Sequence, residues 1–154
     1  MYKSAVLIMP EEVVCKIGSA AYELSGEMSF RWDEPIPLTI RLWRKGWGPK
    51  DSDKADQLMG HAVFFDEEGN EVPQWSVVTS PPPSTGEAVI QSGEHRKFGF
   101  FAWNQYAQFP RPGKYCVVAE FWGAAMGKTT VVFRTARRWF RVVEAPPDPK
   151  KEKL

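Results

Sequence analysis

The chain reads Pro112-Gly113-Lys114-Tyr115 and then Cys116-Val117-Val118-Ala119-Glu120-Phe121-Trp122, and this stretch restricts the fold more than any other. Proline presets φ for a tight turn and glycine accepts a positive φ, so the segment opens with a turn. Beyond it the side chains alternate. Tyr115, Val117, Ala119 and Phe121 fall on one side of a strand, and Cys116, Val118, Glu120 and Trp122 on the other. The uniformly apolar side predicts a buried face. The side carrying Glu120 predicts the outer one.

The remaining segments are short, rich in β-formers and punctuated by turn residues, with no long apolar period of 3.6. Residues 12–17 read as a strand, preceded by a pairing segment over 5–9, and 28–32 as a short strand. In 37–43, Leu38, Ile40 and Leu42 face one way and Thr39, Arg41 and Trp43 the other. Residues 45–60 read as a polar loop with one helical turn over 55–59. A strand over 61–65 ends in the turn Asp66-Glu67-Glu68-Gly69-Asn70, where Gly69 suits a left-handed conformation. Residues 72–79 return from that turn. Pro81, Pro82 and Pro83 make 80–92 a loop, with brief pairing over 88–90. Residues 95–103 form a strand with Phe98, Phe100 and Ala102 on one side. After 114–122, a small-residue turn over 123–128 leads to one bent strand or a hairpin over 129–143.

These signals predict an all-β fold, an Ig-like antiparallel β-sandwich of about seven to nine strands. The single domain is expected over 1–144, followed by a Pro- and Lys-rich tail over 145–154. Leu38, Ile40, Leu42, Phe98, Phe100, Tyr115, Val117, Ala119 and Phe121 are expected in the core between the sheets.

Twenty basic residues against nineteen acidic ones leave a net charge of +1, so no bulk field favours nucleic acid or an anionic membrane. The apolar run over 5–9 is too short to span a bilayer and lacks the flanks of a secretory signal, which predicts a cytoplasmic protein. Cys15 shares a face with Val13 and Ile17, while Cys116 shares one with Glu120. One thiol thus points inward and the other outward, so no bridge between them is expected.

No catalytic constellation is visible, and catalytic residues, metal and cofactor are all expected to be none. The only histidines are His61 and His95. There is no nucleophile elbow, no phosphate-binding glycine loop, and no paired-cysteine or His-Glu-x-x-His metal pattern. The acidic turn at 66–71 shares composition with a calcium loop but not its ligand spacing. Arg134, Arg137, Arg138 and Arg141, interleaved with Trp139 and Phe140, read as the polar face or guarded edge of a strand rather than a nucleic-acid site. The seven Trp and ten Phe carry the more informative signal. Trp43, Trp47, Trp103, Tyr106, Phe109 and Trp122 come from strands and loops that a sandwich can gather on one sheet, with Arg41 and Arg44 as a polar rim. Such a patch would be a partner-binding surface.

The order Asp66…Gly69…Val72…Trp75-Ser76, Ser92-Gly93-Glu94, Phe98…Trp103 and Pro112-Gly113-Lys114-Tyr115 resembles the bacterial intracellular proteinase inhibitor family over about residues 61–122. The run Glu34-Pro35-Ile36-Pro37-Leu38-Thr39-Ile40, leading to Arg44-Lys45-Gly46, resembles the second strand of adhesion-type and cell-surface Ig-like modules. Both resemblances imply an Ig-like sandwich and differ on function. The reading from the residues is a non-catalytic interaction module or assembly subunit whose partner is another protein or a second copy of the chain. The first resemblance implies instead a protease inhibitor using a loop such as 80–92 or 45–60. Carbohydrate binding through exposed Trp is a further alternative.

Overall fold

The computed structural model describes residues 1–18, 22–43, 56–75, 86–102, 106–127 and 129–146. They form strands β1 (Tyr2–Ile8), β2 (Glu12–Cys15), β3 (Gly26–Arg31), β4 (Leu38–Trp43), β5 (Gln57–Asp66), β6 (Gln74–Trp75), β7 (Gly86–Ile90), β8 (His95–Ala102), β9 (Tyr106–Ala107), β10 (Gly113–Ala125), β11 (Thr129–Thr135) and β12 (Arg138–Glu144). The described residues contain no helix, hence none long and apolar enough to cross a membrane.

Strand β10 organises the rest. Gly113 opens it at φ 146°, and the Tyr115 hydroxyl donates to the Arg111 carbonyl at 2.6 Å. A tyrosine reaching back across its own turn is the corner that locks strand F of Ig-like sandwiches. The pairings agree with that assignment. β1–β3–β8 are antiparallel neighbours, the A-B-E order, and β4–β10–β11 are antiparallel neighbours, the C-F-G order. The chain is therefore an all-β, Ig-like sandwich.

The sandwich departs from the expectation in strand number and direction. Twelve strands form because the expected units subdivide. β4 pairs with β10 only over Leu38–Ile40, and β5 then takes its place beside β10 from Gly60 to Asp66. Likewise β11 pairs with Glu120–Ala125 and β12 with Gly113–Val117, end to end along one edge of β10, so residues 129–143 follow the expected bent strand, interrupted between Thr135 and Arg138, and not the hairpin. The pairing is mixed. β1–β11, β2–β12 and β5–β8 are parallel, and β1 and β5 thereby join the two layers into a ladder that closes through β10.

Three local expectations change as well. Residues 57–60 belong to β5 and not to a helical turn. β7 pairs along its whole length with β4. β10 continues through Gly123, Ala124 and Ala125, because Gly123 lets β4 approach closely: a Cβ there would lie 2.7 Å from Leu38 Cδ1. The turn follows at Met126 and Gly127.

Leu38, Ile40, Leu42, Phe100, Tyr115, Val117, Ala119 and Phe121 are buried together. Phe30 packs on Phe121 and Phe133 with centroids 5.1 and 4.9 Å away, and Trp32, fully buried, donates its Nε1–H to the Ile36 carbonyl at 2.5 Å. Phe98 is a correction: it is half-buried, lying near Phe30 with the Arg96 guanidinium 5.0 Å from its ring. Both cysteines are free thiols. Cys15 packs against the core, while Cys116 lies on the opposite face of β10, buried between neighbouring Phe65 and Trp139.

Candidate functional site

The ladder register assembles the outer face of the β4–β10–β11 sheet residue by residue. Ala124 sits between Thr130 and Thr39, and Thr39 beside Val89. In the next row Tyr2 faces Val132 and Val132 faces Trp122. The Gly123–Ile40 pair brings Arg41 next to Trp122, and Arg41 faces Glu87. In the row below, Ser4 faces Arg134, and Glu120 lies between Arg134 and His61. Because the strand period is two, every residue in these rows shares one side.

The small side chains of the first row leave a groove of about 520 Å³ beside Trp122, with Arg41, Met59, Glu87, Thr39 and Thr130 around it. Trp122 is 36% exposed and Tyr2 72%. The third row is electrostatically closed. Arg134 donates from Nε and Nη2 to Glu120 Oε2 at 3.1 and 3.0 Å, and His61 Nδ1 lies 3.9 Å from Glu120 Oε1. Arg134 also covers the Tyr2 ring at 5.6 Å. Arg41 differs: among the described residues its guanidinium makes no hydrogen bond or ion pair. Glu87 across from it is already engaged.

Of the residues singled out from the sequence, the structure brings Trp122 and Arg41 together in this groove. Trp43 shares their face but is half-buried, edge-on to Phe101 at 6.3 Å, where it forms a small covered cluster. Tyr106 lies on β9, which pairs with β6 in a separate two-stranded sheet, away from this face. Phe109 is a correction: it is 1% exposed and packs against Phe64, Tyr115 and Phe140, so it is core rather than interface. Its position in a turn approach hid this, since a loop residue has no alternation to reveal its side. Trp47, Trp103 and Arg44 lie outside the described residues, as do most of the loops suggested as inhibitory.

Sequence reasoning missed Tyr2, Val132 and Met59. Tyr2 was legible in principle, because Ala5 and Leu7 are buried and the even residues of β1 must then point outward.

The histidines occupy ordinary strand positions. His95 Nε2 lies 2.8 Å from Ser29 Oγ on an exposed surface. Among the described residues no group of three potential ligands could hold a metal ion. A smaller cavity of about 200 Å³ lies at the tyrosine corner between Asp66, Glu68, Arg111 and Lys114. There the Asp66 carboxylate accepts backbone N–H bonds from Glu68 and Asn70, both at 2.9 Å. Burial pushes the Cys116 thiol upward, away from the reactive thiolate.

No family profile matches the chain, and no curated protein is similar to it. Among solved structures it is similar to the ASH/PapD-like domain of human CEP192 (PapD-like domain 7), at 8% identity and a TM-score of 0.33, over 94% of this chain and 87% of that one.

Proposed function

We propose that this chain is a non-catalytic protein-interaction module that docks its partner on the outer face of the β4–β10–β11 sheet. The observation that carries the reading is Trp122. A large aromatic, 36% exposed on a sheet centre, stands over a floor of small residues beside an arginine that has no partner among the described residues. Trp, Tyr and Arg dominate the energetics of protein interfaces, and here Trp122, Tyr2, Arg41 and Arg134 share one face within two rows of the ladder. The charged row at Glu120 supplies the polar rim that surrounds such a centre.

Replacing Trp122 by Ala tests this directly. Partner capture by the immobilised protein should fall at least about 30-fold, the loss expected of an interface anchor. Trp139→Ala, which removes an equally exposed ring opposite Cys116, six residues along β10 from Trp122, should leave capture unchanged. Retention of partner by Trp122→Ala with an intact melting transition would sink the assignment.

A further inference from the structure

We infer that the groove recognises an extended peptide segment with one carboxylate side chain and one apolar side chain two residues apart; this deepens the docking reading above and rests on it. The argument begins with charge. On this face Glu120 is held by Arg134, and Glu87 is engaged. Among the described residues of this face, Arg41 presents a charge with no hydrogen bond or ion pair. A guanidinium offers a planar fork matched to a carboxylate, so the complementary group is anionic. Beside it, Ala124 forms an apolar floor flanked by Trp122, and Met59 adds a pliable wall. That arrangement accepts an aliphatic side chain.

Spacing then decides the pattern. Arg41 lies in the Trp122 row, and Thr39 and Ala124 in the next row on the same face, two residues further along their strands. That repeat is about 6.8 Å. An extended segment lying along the strands presents its own residues i and i+2 on one side at the same repeat. A carboxylate over Arg41 therefore places the residue two positions away in the row of Thr39 and Ala124. The hydroxyls of Thr39 and Thr130 border that position and can bond the segment's main chain.

The test is a titration of the full chain, followed by NMR, with three blocked hexapeptides: Ser-Glu-Ser-Leu-Ser-Ser or its reversed order Ser-Ser-Leu-Ser-Glu-Ser, whichever binds more tightly, the same peptide with Gln for Glu, and the version with Glu and Leu adjacent. The first should shift the Trp122 indole N–H and the amides of Thr39, Arg41 and Ala124, with a Kd on the order of 1 mM. The Gln peptide and the respaced peptide should each bind about fivefold more weakly. Arg41→Gln should make the Glu and Gln peptides equivalent. The proposal is overturned if Glu and Gln peptides bind the unaltered chain equally, if the respaced peptide binds as well as the first, or if none shifts these resonances up to about 10 mM. It is also overturned if a neutral oligosaccharide shifts them instead, or if dilution of the chain alone does, which would reveal a second copy in the groove. Any of these, together with loss of partner capture by Trp122→Ala, would leave the docking face standing and remove only the acidic epitope. Failure of the Trp122→Ala experiment would remove both.

Discussion

Gly60 is the position where this architecture is least able to accept a methyl group. Here β5 leaves β8 and joins β10, so the glycine pairs with Ala102 on one side and Phe121 on the other. A Cβ built on it would lie 2.5 Å from the Glu120 carbonyl oxygen and 2.6 Å from Phe100 Cζ, far inside ordinary contact. Neither neighbour can retreat easily. The carbonyl belongs to the β5–β10 ladder, and Phe100 is 2% exposed in the core. Overpacking of this kind costs about 3 kcal/mol, at the upper end of its usual range. Alanine would recover roughly 0.5 kcal/mol by restricting the unfolded chain, since Gly60 does not adopt a positive φ. A net loss of about 2.5 kcal/mol should lower Tm by roughly 5–10 °C in a domain of this size.

Urea and thermal melts of Gly60→Ala provide the measurement, with Gly69→Ala as the comparison. Gly69 has φ 87° and nothing within 4 Å of an added Cβ, so only its left-handed backbone opposes alanine, at about 1 kcal/mol. Phe100→Leu should relieve part of the clash, making the double variant less unstable than the sum of the single ones. If Gly60→Ala proves no more costly than Gly69→Ala, the close approach of Phe100 and β10 to Gly60 is wrong.

Two further outcomes follow from the corner and its turn. Tyr115→Phe removes the hydroxyl bond to the Arg111 carbonyl and should cost about 1 kcal/mol in a urea melt with an unchanged m-value; no loss would mean the corner does not lock β10. The backbone N–H of Asn70, with that of Glu68, holds the Asp66 carboxyl below its ordinary range. A carboxylate lowered in the folded state stabilises above the unfolded pKa and loses that contribution as pH falls through the lowered folded value. Protection of the Glu68 and Asn70 amides should therefore decline only below about pH 4, and Asp66→Asn should show no such decline.

Much of the fold was legible because alternation is a local property. The parity of Tyr115, Val117, Ala119 and Phe121, and of Leu38, Ile40 and Leu42, depends only on the strand period, and all are buried. The turns at Gly69 and Gly113 follow from residues that tolerate their backbone angles. The separation of the cysteines followed from parity too.

Parity names a side but not a neighbour, and there the tertiary structure decided. Cys116 was correctly placed opposite the core, yet it is fully buried because Phe65 and Trp139 arrive beside it on β5 and β12. The break in residues 129–143 falls where the register on β10 shifts by one residue, between Arg134 opposite Glu120 and Arg138 opposite Val117, and no window within that segment contains β10. The groove is the clearest case. Trp122 and Arg41 were both visible as candidates, but Met59, Glu87 and Thr130 join them from β5, β7 and β11 only through long-range pairing. Register between distant strands is set by the closed ladder as a whole, so the sequence determined which residues could face outward and the tertiary structure determined which of them meet.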